Sequence, residues 1–378
     1  MNHPQKRLAI YLPTLVGGGA ERVLINLAVG FVRRGFPVDF VVAQCEGAFM
    51  GQFPDSVRLV ELNSRHLKAG RSVASLPSLV RYMRQERPDA LLTALHTNII
   101  AIWARRMAGI PLRLVISEHS TFSLQNRMMP IGYRQLRSWL VRQNYPRADE
   151  IVAVSEGVAD DLAGSARISR DAIRVIPNPI ITPEMKIKVT EKIDHPWFRP
   201  GEPPVILSVG RLTSPPKDFP LLIKSFARIR QTCPARLIIL GEGEDRPMLT
   251  GLISQLGLEQ DVSMPGFTPN PYPFMSHASV FVLSSKREGL PTVLVEALYC
   301  GLPVVATDCP SGPREILRGG RYGKLVPVGR EENLAEAIRD LLQGKVARPP
   351  KESWLPYESD MVVNRYLFTL LGADYVNT

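Results

Sequence analysis

No apolar run in the 378 residues approaches the roughly 20 that span a bilayer as a helix. Met1 to Arg7 lacks the apolar core of a signal peptide. Integral membrane and secreted classes are therefore set aside, and an intracellular protein is expected. Cysteine is scarce: Cys45, Cys233, Cys300 and Cys309 show no metal-ligand spacing, and the last three adjoin or lie inside apolar segments, so reduced structural thiols are expected. Two further signatures are missing. No Asp-x-Asp pair is present to hold a divalent cation, and no G-x-G-x-x-G fingerprint of a dinucleotide fold.

What remains is an ordinary globular composition, 45% hydrophobic and 22% charged. The length exceeds what one core usually supports, so two domains are expected. The net charge of +10 is unevenly placed. Arg105, Arg106, Arg113, Arg127, Arg134, Arg137, Arg142 and Arg147 have only Glu118 among them to oppose their charge. Such a field attracts anionic lipid surfaces, phosphorylated substrates or nucleic acid, and charge alone does not choose.

Apolar strands alternate with amphipathic helices along the first half. Strands are expected at Arg7–Leu12, Val38–Ala43, Ala90–Ala94, Leu112–Ile116 and Ile151–Val154, with helices at Glu21–Arg34, Ser72–Gln85 and Ile99–Met107. Alternation of this kind implies a parallel sheet covered on both faces. A Pro-rich stretch of little periodicity, 183–204, reads as a linker. A second strand series follows at Val205–Val209, Leu237–Leu240, Val262–Met264, Val280–Leu283, Val304–Ala306 and Lys324–Val328, with helices at Leu221–Arg230, Val293–Tyr299 and Leu334–Leu342. The expectation is two tandem doubly wound α/β domains, 1–182 and 205–355, facing a central crevice, with a last helix within 356–378 packing back on the first domain. In such sheets ligands sit outside the carboxyl ends of the strands.

The richest stretch lies at one of those ends. Ser284-Ser285-Lys286-Arg287-Glu288-Gly289-Leu290-Pro291-Thr292 leads from a strand into the apolar run Val293 to Leu298, interrupted by Glu296. Pro291 marks a helix start whose free amides, near Thr292, suit a phosphate, and Gly289 lets the backbone approach a ligand. A glutamate inside an apolar helix is costly unless donors satisfy it. A ribose diol supplies two, although solvent or an arginine would also serve. Arg211 and Lys217 follow another strand, suiting a diphosphate or, blandly, solvent. Gly17-Gly18-Gly19 after the first strand allows a loop to fold over a ligand, or is only a tight turn. His119, after the strand ending at Ile116, is placed to hydrogen-bond a sugar hydroxyl or move a proton, or is structural.

Glu288 and Glu296 with seven residues between them, Gly301-Leu302-Pro303-Val304-Val305-Ala306-Thr307-Asp308 after them, Val209-Gly210-Arg211-Leu212 with Lys217, Gly241-Glu242-Gly243 and Gly17-Gly18-Gly19-Ala20-Glu21 resemble, in order, the family 4 retaining glycosyltransferases of the GT-B fold. The interval from Arg211 to Lys217 is one residue longer than that family usually has. The resemblance implies that Glu296 binds the donor ribose, Glu288 with the amides of Gly289 and Leu290 the transferred sugar, and Arg211 with Lys217 the diphosphate. It also implies that Gly18 and Gly19 cover the donor and that His119 contacts the sugar. Retaining transfer of a hexose or N-acetylhexosamine from a nucleotide sugar, with UDP the usual carrier, is the implied reaction, without metal or other cofactor.

Rival readings are a glycoside hydrolase using the two glutamates as acid and nucleophile, a nucleotide-sugar epimerase, and a non-enzymatic membrane or nucleic-acid binding module. Basic and Gly-rich phosphate sites have no purpose on a neutral glycan, and no nucleic-acid motif accompanies the arginines. Met128 to Trp139 mixes apolar and aromatic residues with Arg134 and Arg137, which suits a helix on an anionic bilayer. The acceptor is therefore expected to be a lipid-linked oligosaccharide or lipopolysaccharide, met by a peripheral enzyme at the cytoplasmic face.

Overall fold

The computed structural model describes residues 6–15, 19–45, 53–62, 71–214, 216–344 and 347–372. The chain divides into two units, one formed by residues up to Ile180 together with those from Glu358 onward, the other by Ile181–Tyr357.

The first unit runs β1 (Leu8–Leu12), α1 (Gly19–Arg33), β2 (Val38–Val42), β3 (Val57–Glu61), α2 (Arg71–Ala74), α3 (Leu76–Glu86), β4 (Ala90–Ala94), α4 (Asn98–Ala108), β5 (Arg113–Glu118), α5 (Phe122–Arg127), α6 (Ile131–Asn144), β6 (Glu150–Ala153), α7 (Glu156–Ala166) and β7 (Ile173–Val175). All strands are parallel, in the order β3-β2-β1-β4-β5-β6-β7. Burial on both faces explains near-continuous apolar strands such as Leu-Ala-Ile-Tyr-Leu in β1, where every residue is buried. One exception is Asp39 in β2, which accepts hydrogen bonds from Arg58 Nε at 2.8 Å and from Tyr82 Oη at 2.7 Å. Burial alone would raise its pKa, but those bonds and the charges of Arg58 and Arg7 outweigh it and hold the carboxyl below its ordinary value.

The helix expected over Ser72–Gln85 is two, α2 and α3, broken at Ser75. Pro77 near the start of α3 lacks the N–H a continuous helix would need, and the buried Ser75 hydroxyl is 2.5 Å from that of Tyr11. β3 and β7 were not foreseen. Both are edge strands, too short and too charged to show as apolar runs.

The second unit runs α8 (Pro183–Lys188), β8 (Val205–Val209), α9 (Phe219–Arg230), β9 (Arg236–Leu240), α10 (Arg246–Gln255), β10 (Val262–Gly266), α11 (Tyr272–His277), β11 (Val280–Leu283), α12 (Thr292–Tyr299), β12 (Val304–Thr307), α13 (Pro313–Ile316), β13 (Lys324–Val326) and α14 (Glu331–Gln343). Its parallel sheet has the order β10-β9-β8-β11-β12-β13. The stretch 183–204, expected as a linker, folds with this unit. Thr182 caps α8 by accepting from the Met185 amide at 3.2 Å, Met185 is buried, and Asn270 bonds the Lys188 carbonyl at 3.1 Å. A six-residue helix with one buried side chain leaves no periodic trace.

The last helix, α15 (Ser359–Leu371), belongs to the first unit. Val362, Val363, Tyr366, Leu367 and Leu370 join the core built by β1, β2, β4 and α1. Its approach to α1 is close: a Cβ on Gly30 would lie 2.4 Å from Val363 Cγ2. Among the described residues no helix is long and apolar enough to cross a membrane. Both sheets therefore have the doubly wound, Rossmann-like topology expected, each with a point where the strand order reverses: between β1 and β4, and between β8 and β11.

Candidate active site

The reversal between β8 and β11 is where the second unit gathers its charged groups. β8 delivers Gly210 and the exposed Arg211 at its carboxyl end, and Lys217 follows in the loop before α9. β11 delivers Ser284 and Ser285, both buried, and then Glu288. Two loops that are far apart in sequence are stitched together here. The Lys286 amide donates to the Pro216 carbonyl at 2.9 Å, and Lys286 Nζ pairs with Asp218 Oδ2 at 3.1 Å. Lys217 Nζ pairs directly with Glu288 Oε1, which also accepts from Ser285 Oγ at 2.6 Å. The extra residue between Arg211 and Lys217 is thus absorbed without drawing the ammonium away from Glu288. Pro215 lies outside the described residues.

Asp218 does a second job. Its Oδ1 accepts from the Leu221 amide at 3.4 Å as the N-cap of α9. The sequence Asp218-Phe219-Pro220, a cap residue before a first-turn proline, carried that signal unused. Ser285 gave none beyond its place at a strand end. Thr307 at the end of β12 donates to the carbonyl of Leu283 at 3.2 Å or of Ser285 at 2.5 Å, fixing the strand end from which Glu288 departs.

Downstream, Gly289, Leu290 and Pro291 form the turn into α12, whose first residue is Thr292. Gly312 backs this turn at φ +83°; a Cβ there would lie 2.5 Å from Pro291 Cδ and 3.0 Å from the Gly289 carbonyl oxygen. Glu296, one helical turn into α12, is 8% exposed in a run of Leu294, Val295, Ala297 and Leu298 that is buried throughout. Two thiols, the partly buried Cys300 and the buried Cys309, flank the glutamates. Burial, with the negative charge of Glu296 for Cys300 and of Glu288 for Cys309, pushes each up to about 12. The four cysteines are unpaired thiols.

In the first unit Gly19 is the first residue of α1, and Gly18 lies outside the described residues. His119 directly follows β5, with Nε2 3.1 Å from Ser117 Oγ and a buried Nδ1 that has no partner among the described residues. Burial pushes its pKa down to about 4. Beside it is a buried polar cluster that sequence reasoning missed: Asn98 Nδ2 donates to Glu118 Oε1 at 3.0 Å, and the Tyr145 hydroxyl bonds the same oxygen. Burial raises the Glu118 pKa despite those bonds and the charge of Arg137.

Arg134 and Arg137, expected on a membrane-facing surface, turn toward the neighbouring loop and α5. Arg134 Nε donates to the Met129 carbonyl at 2.5 Å. Arg137 donates to Gln125 Oε1 at 2.8 Å and lies 4.5 Å over the Phe122 ring. The exposed side chains of α6 include the apolar Ile131, Tyr133, Leu136 and Trp139 beside Gln135, Arg142 and Gln143.

Residues 17–183 match the family described as Glycosyltransferase Family 4, and residues 189–354 match Glycosyl transferases group 1. The N-acetylgalactosamine-N,N'-diacetylbacillosaminyl-diphospho-undecaprenol 4-alpha-N-acetylgalactosaminyltransferase of Campylobacter jejuni is 31% identical, covering 89% of this chain and 90% of its own. The lipopolysaccharide core biosynthesis glycosyltransferase LpsE of Rhizobium meliloti is 29% identical over 86% of each chain. Among solved structures, the lipopolysaccharide outer core galactosyltransferase WaaB superposes with a TM-score of 0.72 at 20% identity, over 96% of this chain and 98% of the other. Anabaena Alr3699/HepE, solved with UDP and glucose, gives 0.71 at 19%, over 96% and 95%.

Proposed function

Because the chain belongs to glycosyltransferase family 4 and has the GT-B architecture, we propose that it transfers a hexose or N-acetylhexosamine from a UDP-sugar, with retention, to a lipid-linked oligosaccharide or lipopolysaccharide acceptor. Family membership leaves the hydrolase, epimerase and nucleic-acid readings without support. The observation that carries the donor half is the pairing of Lys217 with Glu288 where the strand order of the second sheet reverses. A cation and an anion held there serve the two ends of a sugar diphosphate. The ammonium turns to the phosphates, and the carboxylate is released to accept from sugar hydroxyls.

Arg211 joins Lys217 on the diphosphate, and the first amides of α12 add the positive end of the helix dipole. Glu296 accepts from the ribose hydroxyls, and Gly289 and Leu290 offer amides to the sugar. In the first unit Gly18 and Gly19 cover the donor and His119 bonds the sugar. The reaction breaks the bond from the anomeric carbon to the β-phosphate oxygen and forms one to the acceptor oxygen on the same face, the proton of the acceptor hydroxyl passing to the departing diphosphate. Negative charge grows on the departing diphosphate, so cations preset beside it lower the barrier most. These groups do the work that a divalent cation does elsewhere, and we therefore read the transfer as metal-independent.

The acceptor half rests on the apolar exposed face of α6, which suits a peripheral enzyme at the cytoplasmic face of an anionic membrane. Calorimetric titration with a panel of nucleotides tests the donor half. UDP is expected to bind most tightly, and EDTA to leave binding and transfer unchanged. Glu296→Ala should weaken UDP at least tenfold, whereas Glu288→Ala should bind UDP within about threefold of wild type and transfer at least a hundredfold more slowly, the scale of losing a transition-state contact. Equal binding and equal turnover in both variants would remove the assignment.

A further inference from the structure

At the opposite end of β5 from His119 lies a cavity of about 540 Å³, between the end of α4 and the loop leading to β6. Seven residues of extended chain separate Leu112, in its wall, from His119, roughly 20 Å at ~3.3 Å per residue. It is therefore a separate place from the catalytic edge of that sheet. Its walls are of two kinds. Trp103, Ile110 and Pro111 are apolar, and Arg105, Arg106 and Arg147 bring positive charge.

The three arginines are not equivalent. Arg105 is committed: it pairs with Asp149 and donates to the carbonyls of Leu112 and Arg147. Arg106 and Arg147 are exposed, and neither has a carboxylate within salt-bridge distance among the described residues. Arg106 stands in the last turn of α4, where a cation would ordinarily answer the helix's open carbonyls. Arg84 already does that, donating to Met107 at 2.7 Å and to Ala108 at 3.2 Å.

Asn144, 4% exposed, holds the wall together. Its side-chain oxygen accepts from Trp103 Nε1 at 2.9 Å and from Arg147 Nη1 at 3.4 Å. An indole and a guanidinium are thereby fixed side by side, an apolar plate next to an uncompensated charge.

We propose that this cavity binds a membrane phospholipid with an acidic headgroup. The phosphodiester sits between Arg106 and Arg147, and the first segments of the acyl chains lie on Trp103, Ile110 and Pro111. Two guanidinium groups without acidic partners match a phosphate. A bare inorganic anion would leave the apolar half of the wall facing water. The site is independent of the donor reading above.

The test is calorimetric titration of the full chain with dihexanoyl phosphatidylglycerol, kept below the concentration at which it forms micelles. Saturable one-to-one binding is expected. Arg106→Ala with Arg147→Ala should raise Kd at least tenfold, dihexanoyl phosphatidylcholine should bind at least tenfold more weakly, and inorganic phosphate at equal concentration should not displace the lipid. Arg106→Gln alone, at an exposed helical position, should raise Kd about threefold, which keeps the inference testable if the double variant misfolds. Unchanged affinity in the variants, equal binding of phosphatidylcholine, or displacement by phosphate would each overturn the proposal. UDP binding should survive in all variants; its absence from the wild-type protein would sink the donor reading and leave the lipid titration standing.

Discussion

Lys217 and Glu288 sit in a place where either charge alone would be poorly solvated, and each answers the other. His119 has no such partner, and burial keeps it neutral with a pKa near 4. The unfolded chain, with an ordinary histidine near ~6.5, takes up a proton first as pH falls. Stability contributed by the neutral ring is therefore complete above about 6.5 and is lost between there and about 4. Denaturant unfolding between pH 7 and 4 should show a slope of up to ~1.4 kcal/mol per pH unit from this one proton. His119→Gln should flatten it, and an identical pH profile in the variant would show that the ring is not held neutral. Glu288 and Glu296 were legible because a carboxylate inside an apolar helix and another at a glycine turn are chemically conspicuous. Asn98, Glu118 and Tyr145 were not, because their meeting depends on three elements converging over a sheet edge, which no local spacing records.

Helix α6 shows how an element can be found while its orientation is misread. Arg134, Arg137, Ser138 and Val141 share one face by their three- and four-residue spacing, and Tyr133, Leu136 and Trp139 share the other. The usual assumption sends the arginines outward. The structure does the reverse, because carbonyls at Met129 and Arg127, the Gln125 amide and the Phe122 ring hold them. Charge reversal of Arg134 and Arg137 together should then cost stability, by about 2 kcal/mol or more for breaking a partly buried network, and a lowered urea midpoint would report it. Leu136→Glu with Trp139→Glu should leave the midpoint almost unchanged and strongly reduce sedimentation with phosphatidylglycerol vesicles. Full sedimentation of that variant would exclude α6 as the membrane contact. Central strands were read to within a residue or two, since burial on both faces writes itself as apolar runs. The edge strands β3 and β7 and the short helix α8 were not, since each buries too little to leave a pattern.

At the scale of the molecule, unit two is an insertion: the chain leaves the first unit after Ile180 and returns to it at Glu358. The outgoing and returning strands of chain run side by side, the Ile181 amide donating to the Tyr357 carbonyl at 3.1 Å. Without α15, the first unit would expose the apolar surface that Val362, Val363, Tyr366, Leu367 and Leu370 cover, at roughly 1.5–3 kcal/mol for each large side chain. A chain ending at Tyr357 should therefore lose protection from hydrogen exchange throughout β1, β2 and β4 while β8, β9 and β11 keep theirs; equal protection in both sheets would contradict this. The same arrangement sets an order of manufacture. A ribosome emits the first sheet, then the whole second unit, and only with its final turns of helix the piece that closes the first core. The segment translated first is finished only after the second unit, so a chain that terminates between Tyr357 and the middle of α15 would spare the younger half and condemn the older.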